Sequence, residues 1–82
     1  MKIEYTATET IYKDMNGKEI HEGDVVFMNG RNRKVYLTDQ NELGIDATNP
    51  VWIESGKACE CEYGVYPFTE EDEPVLVREA TS

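Results

Sequence analysis

Basic charge is scarce in this chain: eight Lys and Arg stand against 17 Asp and Glu, for a formal net charge of −9. A surface of that sign repels phosphate backbones, and direct nucleic-acid binding needs a basic stripe. The one basic cluster, Arg31-Asn32-Arg33-Lys34, is too short to supply such a stripe. Long apolar runs are also missing, and none approaches the roughly 18 residues of a membrane-spanning helix. The opening "MKIEYTATET" has a lysine without an apolar stretch behind it, so no secretory signal is read and a cytoplasmic location is expected. Histidine occurs once and cysteine twice, few residues for a zinc site that wants about four His, Cys or carboxylate ligands. No window carries a sustained helical stripe of apolar residues at i, i+3, i+4 and i+7.

A period of two is what the sequence does have. Ile3–Ala7 alternates, Val25–Met28 is apolar on both faces, and Lys34–Thr38 puts Val35 and Leu37 on one face. Leu43, Ile45 and Ala47 share a face, Val51-Trp52-Ile53 follows an Asn-Pro turn, and Val75–Arg78 follows Pro74. The longest alternation, Ala58 to Phe68, predicts a strand with Cys59, Cys61, Tyr63 and Val65 inward and Glu60 and Glu62 in solvent. Asn16-Gly17, Gly23, Asn29-Gly30, Asp39–Glu42, Asn49-Pro50 and Ser55-Gly56 punctuate these runs as turns. The expected fold is mainly β: a small SH3-like, partly open barrel of five to six antiparallel strands. It has at most one helical turn, at Thr69–Asp72, where Thr69 caps and Asp72 takes the third position of a capping box. One domain is expected over residues 1–82, with 79–82 as a frayed tail.

Each cluster that resembles a reactive site also has a plain structural reading. Asp14-x-Asn16-Gly17 opens like a calcium loop, but the EF-hand pattern needs Gly at position six and Glu at twelve. Glu19 and Val25 stand there instead, so Asp14, Asn16 and Gly17 are read as turn chemistry. Cys59 and Cys61 lie two apart, about 7 Å on an extended strand, a poor span for a disulfide. They are read as core thiols, and no metal site and no cofactor is assigned. With no base or oxyanion pattern beside His21, no catalytic residue is assigned and no enzymatic activity is expected. The acidic residues concentrate after residue 58, where Arg78 alone opposes Glu60, Glu62, Glu70, Glu71, Asp72, Glu73 and Glu79.

The run "KDMNGKEIHEGDVV", Lys13 to Val26, resembles the opening motif of YopX-like proteins of phages and prophages. Asp14, Asn16, Gly17, Lys18, Glu19, Ile20, Glu22, Gly23, Asp24 and Val26 carry the resemblance. It implies a mainly β accessory protein of a mobile element, at work inside a bacterial host cell, and it names no catalytic residue. The expected function is stoichiometric binding to a host or phage protein with a basic surface, as an acidic DNA-mimic inhibitor of a nucleic-acid-handling or defence protein does. Glu60, Glu62, Glu70, Glu71, Asp72 and Glu73 would meet that surface, with Trp52 and Tyr66 as aromatic anchors. Membrane and direct nucleic-acid partners are not expected. Two alternatives stand beside this reading: a small-ligand or nucleotide site built on Arg31, Arg33 and Lys34, and an oligomerising structural component.

Overall fold

The computed structural model describes residues 1–80. Short strands form wherever a turn residue releases the chain at the right register. Lys2–Tyr5 (β1), Thr10–Lys13 (β2) and Glu19–Ile20 (β3) make a three-stranded antiparallel sheet in that order. A second sheet takes Val25–Met28 (β4), Arg31–Leu37 (β5), Leu43–Asp46 (β6), Val65–Pro67 (β7) and Val75–Arg78 (β8). Its order is β7-β6-β5-β4-β8, so the chain meanders through four strands and then crosses back to place β8 beside β4. The fold is mainly β and the sheets do not close, as a partly open barrel requires. Eight strands appear where five or six are expected, because β2, β3 and the break before β7 carry little alternation of their own.

The β4–β5 hairpin follows directly from Asn29-Gly30. Both residues adopt positive φ, 53° and 84°, which matches the right-handed twist of the flanking strands and sets Met28 opposite Arg31. Strand β5 is the longest and serves two partners in succession. Its first half pairs with β4 from Arg31 to Lys34, and its second half pairs with β6 from Val35 to Leu37. The expected hairpin over Asp39–Glu42 forms, and Thr38 donates its N–H to the Glu42 carbonyl at 2.8 Å.

The core lies between the two sheets. Ile3, Tyr12 and Ile20 face it from the first sheet, and Val26, Met28, Val35 and Leu43 from the second, with Phe68 beyond β7. Tyr12 and Phe68 meet with ring centroids 6.3 Å apart. Leu37, expected on one face with Val35, is 39% exposed at the far end of β5, whereas Val35 is fully buried. Phe27 is also exposed, so of the apolar run Val25–Met28 only Val26 and Met28 are fully buried.

Buried carboxylates join the sheets to each other. Asp14 Oδ1 accepts N–H groups of Asn16 (2.9 Å) and Lys18 (2.8 Å), closing the β2–β3 turn as the sequence indicates. Its Oδ2 reaches further and accepts the Leu76 N–H of β8 at 2.7 Å. Asp24 repeats the device, taking the His21 N–H at 2.8 Å and the Ala80 N–H at 2.7 Å. Ala80 is thus tied down, and the rest of the expected tail, 81 and 82, lies outside the described residues. The Leu76 N–H on β8 is thereby satisfied from within the protein.

Three expected elements differ. Val51-Trp52-Ile53 is not a strand but the middle of a helix, Pro50–Glu54 (α1). Asn49 caps it by accepting the Val51 N–H at 2.9 Å, and Pro50 presets the first helical φ, so the cap overrides the β-branched apolar triplet. The long strand from Ala58 to Phe68 is reduced to β7. Before it, residues 60–63 form turns in which Cys61 has φ 58°, followed by Gly64 at φ 88°, and neither value fits an extended ladder. Cys59 and Tyr63 are therefore exposed rather than inward, and Cys61 and Val65 are only partly buried. Finally, Thr69–Asp72 is a turn and not a helical turn. Asp72 Oδ2 accepts the Thr69 N–H at 2.8 Å, and the Asp72 N–H returns to the Thr69 carbonyl at 3.1 Å. Pro74 is buried and releases the chain into β8.

Candidate functional site

The surface beside α1 begins with two acceptors at the end of β6. Asp46 Oδ1 accepts the Thr48 N–H at 2.7 Å, while Oδ2 accepts the Cys61 N–H at 2.8 Å. Thr48 is buried, and its hydroxyl oxygen accepts the Tyr63 N–H at 3.0 Å. Both receivers pull the 59–64 turn onto the start of α1 from 15 residues away in the chain. Trp52 and Tyr63 are the result. Their ring centroids lie 6.1 Å apart at an interplanar angle of 60°, an edge-to-face pair. Trp52 is 43% exposed and Tyr63 61% exposed, with Val51 exposed on the same short helix.

Carboxylates stand on the same two segments as this pair. Glu60 and Glu62 are exposed on the same turn as Tyr63, and Glu54 ends α1. The expected acidic surface is therefore split by β7. Glu60 and Glu62 go with Trp52 and Tyr63, whereas Glu70, Glu71, Asp72 and Glu73 sit on and after the turn that follows Phe68. Tyr66, 65% exposed on β7, belongs to that second group: Tyr66, Thr69 and Asp72 line one shallow hollow. Tyr63 was not legible as a surface anchor, because the alternation from Ala58 places it inward. Gly64 directly after it is the one local sign of a turn.

A second feature lies on the other side of Glu54 and Glu60. Arg31, Arg33, Lys34 and Tyr36 of β5 line a cavity of about 190 Å³ together with those two carboxylates. The sequence's basic cluster is thus brought together with a tyrosine, but Trp52 does not line this cavity. Lys34 Nζ sits 5.5 Å from the Tyr36 ring centroid. Burial pushes the Tyr36 phenol up to about 12, and the charges of Glu60 and Asp46 and the neighbouring Cys61 reinforce the shift. The Cys61 thiol is raised as well, by burial first and then by Asp46 and Glu60, so its reactive thiolate form is disfavoured.

His21 Nε2 is 3.1 Å from Glu19, and its Nδ1 is 3.9 Å from Asp24, whose oxygens already accept backbone N–H groups. No group of three or more His, Cys, Asp or Glu stands in metal-binding arrangement among the described residues. No helix among them is long and apolar enough to cross a membrane. The chain matches no family model, no curated protein and no solved structure.

Proposed function

We propose that this protein works by stoichiometric binding to a protein partner with a basic surface, docking through Trp52 and Tyr63 within a rim of Glu54, Glu60 and Glu62. The observation that carries this reading is the exposed edge-to-face pair, 6.1 Å between centroids, held in place by half-buried Asp46 and buried Thr48. Aromatics fixed at the centre of a patch and surrounded by charge are the usual anchors of protein interfaces. Preorganisation matters here, since a positioned ring loses little rotamer freedom on docking. Glu70, Glu71, Asp72 and Glu73 extend the acidic field beside exposed Tyr66 and steer a basic partner towards the anchor, and they contribute more to encounter rate than to bound-state energy.

With the YopX-like motif at Lys13–Val26, the reading becomes that of a phage or mobile-element accessory protein inside a bacterial cell. A host nucleic-acid-handling or defence protein, with its basic groove, has the complementary chemistry. The test is competition: such a partner, captured on the wild-type protein, is released by duplex DNA and by raised salt. A partner held equally in the presence of both contradicts the mimicry.

A further inference from the structure

Among the described residues, neither Arg31, Arg33 nor Lys34 forms an ion pair within 4.0 Å, although the protein carries a large excess of acid. Three cations within four residues of one strand repel one another, and the cavity they line contains Asp46, Glu54 and Glu60 without any of these closing on them. Arg33 is half-buried, and its Nε donates to the Met28 carbonyl at 3.2 Å, which fixes the guanidinium and leaves its outer N–H groups for another acceptor. Lys34 is held over the Tyr36 ring. The cations are thus placed in advance without a direct ion-pair partner among the described residues.

We propose that this cavity binds a small phosphate monoester whose carbon body carries a hydroxyl or amino group. The phosphoryl oxygens are received by Arg31, Arg33 and Lys34, and the donor groups of the body by Glu54 and Glu60. A volume of about 190 Å³ admits a phosphoryl group and a short body, and is smaller than the roughly 300–1,000 Å³ of sites for drug-sized ligands. The Asp46 oxygens already accept the Thr48 and Cys61 N–H groups, so Glu54 and Glu60 set the class. They repel a polyanion such as a nucleic-acid backbone, and they accept hydrogen bonds from a hydroxyl or ammonium. The Tyr36 face is covered by Lys34, so the site is not a base-stacking platform. This inference shares Glu54 and Glu60 with the protein-binding reading, but it stands on cations of β5 in a cavity that neither Trp52 nor Tyr63 lines.

Amide chemical shifts of the full chain, followed by NMR during titration, test it with inorganic phosphate, ethyl phosphate, glycerol 3-phosphate and phosphoethanolamine as probes. Saturable shifts confined to the Arg31–Tyr36, Glu54 and Glu60 region are expected, with glycerol 3-phosphate and phosphoethanolamine binding more tightly than ethyl phosphate. Arg31→Gln and Lys34→Gln, both surface changes, are each expected to weaken binding about tenfold, the loss of one charge-assisted contact. Glu60→Gln is expected to abolish the preference for phosphoethanolamine while leaving ethyl phosphate bound. Shifts that fail to saturate, that spread over the surface, or that persist in both cation variants overturn the proposal. So does a short DNA strand that binds the same cavity more tightly than the monoesters.

Discussion

Asp14 and Asp24 sit in a charged stretch of the sequence, yet each is nearly fully buried and accepts backbone N–H groups from distant parts of the chain. Burial alone raises the Asp14 carboxyl, but the N–H groups of Leu76, Lys18 and Asn16 outweigh it and hold the carboxyl below its ordinary 3.8. A carboxylate with a lowered folded-state value stabilises the fold above its unfolded value, and that contribution is lost as pH falls through the folded-state value. Asp14→Asn is therefore expected to cost about 2–3 kcal/mol at neutral pH. In chemical denaturation, the gap between wild type and variant should narrow as pH drops below 3.8; a gap independent of pH contradicts the role. Tyr36 works in the opposite sense. Its phenol is raised to about 12, so the stability it contributes is intact below the ordinary 10 and is lost as pH rises towards 12. Tyr36→Phe should blunt alkaline unfolding in that window, read by circular dichroism. The turn role of Asp14 was legible from Asn16-Gly17, because that chemistry is local. Its bond to Leu76, 62 residues away, has no local signature.

Elements were legible where one local rule governed them. Asn29-Gly30 dictated the β4–β5 hairpin, and the polar turn over Asp39–Glu42 joined β5 to β6. They were misread where two rules competed. Val51-Trp52-Ile53 suits a strand by side-chain type, but Asn49 and Pro50 supply a helix start, and the cap prevailed. From Ala58 to Tyr63 the alternation is real in sequence, but Asp46 and Thr48 capture the Cys61 and Tyr63 N–H groups and bend the segment into turns. The Trp52–Tyr63 site exists because of that tertiary override, which is why only Trp52, Glu60 and Glu62 could be named beforehand. Thr48→Val keeps the shape of the side chain while removing the acceptor for Tyr63. It is expected to destabilise by about 1–3 kcal/mol and to red-shift the emission of Trp52, the sole tryptophan, as the ring loses its partner. Gly44 controls the neighbouring approach of β7. A Cβ there would overlap the Tyr66 carbonyl, so Gly44→Ala should cost about 3 kcal/mol or separate β7 from β6, visible as lost amide protection at Tyr66.

At the scale of the whole molecule, an open pair of small sheets carries a net charge of −9 and offers one aromatic anchor set in carboxylates. On the proposed reading, the field would accelerate encounter with a basic partner and weaken with salt, while the anchor would control how long the complex lasts. Binding should therefore respond differently to two changes. Neutralising Glu70, Glu71 and Glu73 together should slow association and flatten its salt dependence with little change in dissociation. Truncating the aromatic pair should accelerate dissociation. The most direct test is quantitative affinity capture from bacterial lysate on the wild type and on a folded Trp52→Ala/Tyr63→Ala variant, followed by titration of the purified partner against Trp52 fluorescence. The account predicts a basic protein that the wild type retains at low salt and the variant loses by at least about tenfold in affinity, with the Trp52 emission shifting to the blue as the ring leaves water. Equal retention by the variant, with Trp52 emission unchanged on saturation, contradicts it.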